Sequence, residues 1–463
     1  MKPFIHSINT PFGTYIYDVN QNAILKLSAE AQDSIKNDNY DNSEIKDLLQ
    51  LGYFKENPIV TINHPFTNQV EDILSNNINN ITLQLTQACN FFCRYCSFSG
   101  NGVLDRVHNS ASMTWETAKA TMDFLLKHSR ESKSISVSFY GGEPLLKFDL
   151  IKRCVDYLKM NSSKKLSFYM TTNISLLTDE IIVFLKENNF EILVSFDGPE
   201  RIQNKNRKFA ADGSGTYKKV YSIMRKIVEK YPEYVDKITI NAVVDPEESA
   251  INLSEFFKND SVLKMFNVQF SPLDQSHVDL SYYIDQDKIA YVIFERLMYL
   301  FKLSNGSKNE RTDEEQFYSE FELFQNKLKN KFLLPTEYHP KGQCVVGYRK
   351  LFVDTEGNLW PCEKISANSR HLCIGNVFED FYYTKVRELL NIGKLNGEKC
   401  KTCWCIRLCD ICLAAIDGGN CLSENIKLDL CRTTCKTINT KLSEMITVEN
   451  IKNNVFKERY EEQ

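Results

Sequence analysis

The chain has 463 residues, roughly three times a ~150-residue domain, so two or three domains are expected. It is 43% hydrophobic and 25% charged, which excludes a disordered chain. Fifty-six basic residues against 60 acidic ones give a net charge of -4, so no basic field points to a nucleic-acid partner. Apolar runs such as Ile181–Leu185 fall far short of the ~18 residues of a spanning helix, so no membrane is expected.

The N-terminus, Met1 to Ser7, has one Lys and no apolar run behind it, unlike a secretory signal, and a cytoplasmic location is expected. Residues 1–76 read as a small α+β unit. Strands Tyr15–Val19 and Ala23–Leu27 are joined across Asn20-Gln21-Asn22, and helical patterns cover Ala29–Lys36, Ser43–Leu51 and Gln69–Leu74. A hairpin with three short helices suits a winged-helix-like domain, and a plain N-terminal cap is the alternative.

Residues 77–310 alternate strands and helices. The predicted strands are Ile81–Leu85, Ile135–Tyr140, Leu166–Thr171, Ile192–Phe196, Ile238–Val244 and Val268–Ser271. Helices are predicted over Trp115–His128, Asp179–Asn188 and Tyr217–Lys230, with Thr178 as an N-cap. Six such units indicate an α/β fold, a parallel sheet closed or half-closed into a barrel, with ligands at the carboxyl ends of its strands. Long helices follow over Asp285–Leu303 and Asp313–Phe332, the latter bridging domains across 311–340. Residues 341–440 are rich in Cys and Gly, consistent with a core organised by metal, and 441–463 form a charged C-terminal helix.

Fifteen cysteines in a reduced compartment point to metal rather than disulfides. Cys154 reads as a core residue. Cys89, Cys93 and Cys96 follow the first barrel strand, and C-x3-C-x2-C spacing lets one loop place three thiolates around a cubane iron–sulfur cluster, leaving one iron open. Zinc is the alternative, with His108 as the nearby candidate for a fourth ligand.

With Tyr95 before the last cysteine, this loop resembles that of the radical S-adenosylmethionine (radical SAM) superfamily. Three further strand ends extend the resemblance: Tyr140-Gly141-Gly142-Glu143-Pro144, Thr172-Asn173, and Ser195-Phe196-Asp197-Gly198-Pro199. The glycines are expected to let the backbone approach a ligand, and Glu143 with nearby carbonyls to accept hydrogen bonds from the SAM ammonium. The resemblance implies that Ser195 and Arg207 hold the SAM carboxylate, with Asn241 facing the adenosine; a solvated surface charge is the alternative for Arg207.

Cys344, Gly357, Cys362, the run Cys400-x2-Cys403-x5-Cys409-x2-Cys412, and Cys431 resemble the seven-cysteine SPASM domain of peptide-modifying radical SAM enzymes. That resemblance implies two auxiliary 4Fe–4S clusters, three in all. Cys400, Cys403, Cys409 and Cys431 would hold the outer one; Cys344, Cys362 and Cys412 would hold the inner one. Zinc knuckles are the alternative. The inner set lacks a fourth cysteine. Its last position is open, or filled by one of Cys373, Cys405, Cys421 and Cys435. Glu363 stands where sulfatase-maturing relatives use Asp as base, and Gln203–Asn206 lacks their His-Asp pair.

The whole architecture resembles maturases of ribosomally made peptides, and His64–Asp72 resembles those acting on cysteine-rich peptides. The resemblance implies a precursor whose leader adds as a strand along Ala23–Ser28. A 5′-deoxyadenosyl radical would remove hydrogen from a peptide carbon, and a cysteine sulfur of the same peptide would join it as a thioether. An electron donor such as ferredoxin or flavodoxin is implied. Carbon–carbon crosslinking, epimerisation and formylglycine formation stay open. So does an iron–sulfur transcription sensor, against which the acidic Ser43–Gln50 helix speaks.

Overall fold

The structure is a computed structural model that describes residues 2–96, 108–244, 250–273, 319–340, 342–366 and 368–461, with isolated positions between 294 and 301. The chain begins with an antiparallel sheet in the order β1 (Ile5–Thr10), β2 (Gly13–Asp18), β3 (Ala23–Lys26). The β2–β3 turn uses Asn22 at φ 54°, a left-handed conformation Asn tolerates, and Asp18 accepts the Gln21 N–H at 2.8 Å. Helices Ala29–Lys36 and Ser43–Gln50 follow, capped by the side chains of Ser28 and Asn42.

One face of this sheet packs on those helices through Ile16, Leu27, Ala31, Ile45 and Phe54. The other face, with Ile8, Tyr15, Tyr17 and Val19, packs on Ile406, Leu408, Ile438 and Leu442 of the C-terminal region. β1 was not expected. The third expected helix, observed at Val70–Asn76, sends Val70 and Leu74 into the barrel's core instead. The N-terminal unit is therefore three strands and two helices. A two-residue strand, β4 (Thr61–Ile62), links it to the barrel.

All six barrel strands are present: β5 (Asn80–Thr86), then, after a short β6 (Phe91–Cys93), β7 (Ser134–Gly141), β8 (Lys165–Thr172) and β9 (Phe190–Ser195), and, after a short β10 (Arg207–Phe209), β11 (Ile238–Val244) and β12 (Asn267–Pro272). They lie in the spatial order β12-β11-β9-β8-β7-β5, every neighbour parallel, as sequential strand–helix units require. Thr178 caps its helix by accepting from the Ile181 N–H.

The Cys- and Gly-rich stretch after Pro340, expected as short irregular segments, also carries regular strands. β13 (Glu337–Tyr338) pairs with β4, and β14 (Leu351–Val353) adds to β5 in parallel. β15 (Asn358–Trp360), β16 (Gly375–Asn376) and β17 (Asp380–Phe381) continue the sheet as an antiparallel meander. Leu351, Phe352, Val353, Leu359 and Trp360 are fully buried, so this segment has an apolar core continuous with the barrel's.

The last helix runs without a break from Glu424 to Glu461, and the expected boundary at 440 falls inside it. A helix at Ser319–Leu328 lies within the expected Asp313–Phe332 and buries Phe324 and Leu328 at the seam between the N-terminal sheet and the C-terminal helix. The predicted helix Asp285–Leu303 lies almost wholly outside the described residues. No helix among the described residues is long and apolar enough to cross a membrane.

Candidate active site

The cysteine loop leaves β5 at the carboxyl end of the barrel and is clamped by backbone. Gly142 N–H donates to the Thr86 carbonyl at 2.8 Å and Glu143 N–H to the Ala88 carbonyl at 2.9 Å. Gly141 has φ 138°, and a Cβ on Gly142 would stand 2.1 Å from the Ala88 carbonyl oxygen. The close approach these glycines permit is thus to the cysteine loop itself.

β6 and β10 form a short antiparallel ribbon that sets Arg207 directly opposite Cys93. The Arg94 N–H donates to the Asn206 carbonyl and the Ala210 N–H to the Asn90 carbonyl, lengthening the ribbon at both ends. Arg207 is buried, so the surface-charge alternative is excluded. It makes a two-point pair with Asp197, Nε to Oδ2 and Nη2 to Oδ1 at 3.0 Å each, and its Nη1 lies 3.8 Å from the Cys93 sulfur. Tyr95 donates its hydroxyl to Asp197 and lays its ring 5.2 Å from the guanidinium. Asp197 also accepts the Val243 N–H, and its own N–H donates to the Gln203 side chain.

Glu143 is buried and already engaged by protein donors. It accepts from the Thr172 hydroxyl at 2.7 Å, the Asn173 N–H at 2.8 Å and the Leu145 N–H at 3.0 Å. Burial pushes its carboxyl up to about 7 despite these bonds. Its role in the protein alone is to pin the Gly141–Pro144 segment to the end of β8. Asn173 extends that link to the cysteine loop through Asn90, which donates to Ser175. Ser195 ends β9 beside Asn241, whose side chain accepts from Gln269 and Ser271.

Burial pushes the Cys89 and Cys93 thiols up to about 12, and the neighbouring cysteines add to the rise. Three crowded thiols in such a site become thiolates when a cation balances them, which fits an iron–sulfur cluster. His108 stands 3.8 Å from the Cys96 sulfur, so the loop's geometry by itself also admits the zinc alternative.

The inner set assembles at the opposite end of the barrel. Burial pushes the Cys344 and Cys362 thiols up, Cys412 lies near enough to add to both rises, and Glu363 and Lys350 lie beside them, 3.7 Å apart. Three of the four spare cysteines are engaged elsewhere. Cys373 donates to the Gly375 carbonyl within the meander, Cys421 is exposed, and Cys405 and Cys435 lie with Cys403. Cys400, Cys409 and Cys431 surround Cys403 more loosely, each feeling its charge. Cys154 is buried in the core, as expected.

Residues 83–258 match the family model described as the Radical SAM superfamily. The chain is 26% identical over 238 residues to the radical SAM cyclopropyl synthase TigE of Paramaledivibacter caminithermalis, 48% of each chain, so the match spans about half that enzyme's length. It is 24% identical over 336 residues to a cysteine-type anaerobic sulfatase-maturating enzyme of Clostridium perfringens, covering 70% of this chain and 85% of that one. A solved structure of native anSMEcpe with bound AdoMet and the Cp18Cys peptide shares the fold, with TM-score 0.55 and 21% identity over 81% of this chain and 99% of that one. The zinc alternative for the first loop gives way to the 4Fe–4S cluster and SAM that this family implies. The chain thus carries an enzyme domain of the radical SAM superfamily, residues 83–258, holding the cysteine loop and every strand-end residue that braces it.

Proposed function

We propose that this chain modifies a ribosomally made, cysteine-rich precursor peptide, forming thioether links between a cysteine sulfur and a carbon of the same peptide. The observation that carries the reading is the barrel lumen. A cavity of about 480 Å³ runs within the sheet from Tyr140 and Thr171, below the cysteine loop, to Arg349, Lys350 and Glu363 beside the inner cysteines. Hydroxyls of Thr82, Ser138, Tyr169 and Thr239 line it. A peptide side chain entering it reaches toward both thiol sets, as joining a carbon to a sulfur demands.

Cys89, Cys93 and Cys96 would hold a 4Fe–4S cluster and leave one iron for SAM, which when bound supplies the radical that removes hydrogen from the peptide. Tyr95, Asp197 and Arg207 brace the loop, and Arg207 puts a fixed positive charge beside Cys93. Thr172, Asn173, Ser195 and Asn241 form the rim at the strand ends where SAM would lie. Gly141, Gly142 and Pro144 hold the rim at the loop. Backbone carbonyls there, and the remaining acceptor capacity of the Glu143 carboxylate, would receive the SAM ammonium. Two further clusters would sit on the inner cysteines and on the outer set Cys400, Cys403, Cys409 and Cys431, accepting the surplus electron. The lumen orients the target carbon and excludes water. Among the described residues no strand pairs with the outer edge of β3, where a leader strand would add, and the C-terminal helix packs on β1 at the other edge.

Anaerobic protein with reductant, SAM and a leader-bearing cysteine-rich peptide tests the reading. The expected product has lost about two hydrogens per link, the link mapped by fragmentation. Full turnover without that loss sinks it. The length of the match to the sulfatase-maturating enzyme supports a second reading, oxidation of one cysteine to an aldehyde, which a hydrazine probe would reveal.

A further inference from the structure

Six thiols gather where the family spacing uses four. Cys403, Cys405 and Cys435 bring their sulfurs within 4.8 Å of one another, a set of three potential metal ligands among the described residues. The Cys403 and Cys435 sulfurs stand 3.9 Å apart. Of these three, Cys403 alone belongs to the quartet implied by spacing.

Local structure explains the convergence. Cys435 follows Cys431 by one turn of the Glu424–Glu461 helix, so both thiols face the same side. The turn that carries Cys403 is wound by the Ile406 N–H to the Cys403 carbonyl at 3.0 Å and the Cys409 N–H to the Cys405 carbonyl at 2.8 Å. That winding buries Cys405 almost completely.

The N-terminal sheet then closes over the site. The His6 ring stacks on Trp404 with centroids 3.6 Å apart, and His6 Nε2 meets the Asn439 side chain, one turn beyond Cys435, at 2.8 Å. Three soft donors on two elements, converging under a third, have the ligand type and placement of a built metal site.

We propose that Cys405 and Cys435 are metal ligands, and that with Cys403 they hold the outer metal centre at the seam between the N-terminal sheet and the C-terminal helix, in place of two of Cys400, Cys409 and Cys431. Binding displaces the thiol protons and needs no oxidant. This deepens the reading that the C-terminal cysteines carry metal, and rests on it.

The test measures iron and zinc in anaerobically purified full-length protein, wild type beside Cys405→Ser/Cys435→Ser, with Cys421→Ser as control. About twelve irons falling to about eight in the double variant, and unchanged in the control, is the expected result. Zinc lost from the double variant instead would keep the ligand assignment and replace the cluster. Retention of all wild-type metal by the double variant overturns the proposal. Wild type holding only about four irons and no zinc would show that the parent reading had failed first. A second measurement needs no variant. In loaded native protein Cys435 is expected to resist alkylation and to react after chelation, whereas exposed Cys421 reacts in both states; free labelling of Cys435 in the loaded protein also overturns the proposal.

Discussion

Around Cys89–Cys96 the chain supplies a scaffold of its own, whereas around Cys400–Cys412 the thiols are among one another's nearest neighbours. The first loop is tied to four other segments by Gly142 and Glu143, by Asn90 with Asn173, by the β6–β10 ribbon and by Asp197. The second region is a chain of tight turns whose internal hydrogen bonds, such as Ile406 to Cys403, join residues three or four apart. Its apolar packing comes from other elements, chiefly the N-terminal sheet and the last helix. On the proposed reading the contrast says where metal would carry structure: at the barrel top it would be received by a formed site, and in the C-terminal turns it would contribute to forming one.

The largest effect follows directly. Anaerobic chelation is expected to leave amide protection in β5, β7, β8 and β9 standing and to abolish it across residues 397–423, a local loss of roughly 5 kcal/mol or more in hydrogen exchange. Equal loss in both regions would end the contrast. Next comes the brace at the top. Asp197→Asn leaves Arg207 buried without its counter-charge, which is expected to cost about 3–5 kcal/mol in urea unfolding. A loss under 1 kcal/mol would mean the pair is solvated.

The pH dependence belongs to the same region. Glu143 rises from 4.5 to about 7 on folding because it is buried. Its neutral form therefore favours the fold, so this stabilisation is complete below about 4.5 and is lost as pH climbs through about 7. The expected slope sums to about 3 kcal/mol and vanishes in Glu143→Gln. An unchanged slope in that variant assigns it to another group. The sign also bears on ligand: a cationic ammonium on this rim would draw the proton off, so SAM should bind more tightly as pH rises from 6 to 8.

The parts legible in the sequence were those with long periodic patterns. The six barrel strands carry apolar alternation over several residues, and the motifs fall at their carboxyl ends where a parallel sheet must put them. The β6–β10 ribbon was not legible. Three residues show no period, and Phe91-Phe92-Cys93 meets Arg207-Lys208-Phe209 only because the barrel brings two loops together. So Arg207 could be proposed as a ligand residue from the family resemblance, but not as the partner of Asp197 opposite Cys93. The start of the last helix at Glu424 was not legible, because its first turns carry cysteines in place of a clean apolar period. Its i, i+4 spacing of Cys431 and Cys435 was the available sign that two thiols share one face.

The smallest predicted effect tests the contrast with one substitution in each region. Gly142 lies against the Ala88 carbonyl, and an added methyl there would meet it at 2.1 Å, with backbone on both sides and no flexible side chain to yield. Gly397 has open space around its Cβ position and a helical backbone, φ -52°, at the start of the short helix Gly397–Lys401. Gly142→Ala is expected to cost about 1–3 kcal/mol and, because relief requires the cysteine loop to move, to lower the iron retained at Cys89, Cys93 and Cys96. Gly397→Ala is expected to be neutral or to stabilise by about 0.4–1 kcal/mol through the unfolded chain. If both alanines were tolerated alike, the loop at the barrel top would be as pliable as the turns of the C-terminal region, and its site would be formed by its metal too.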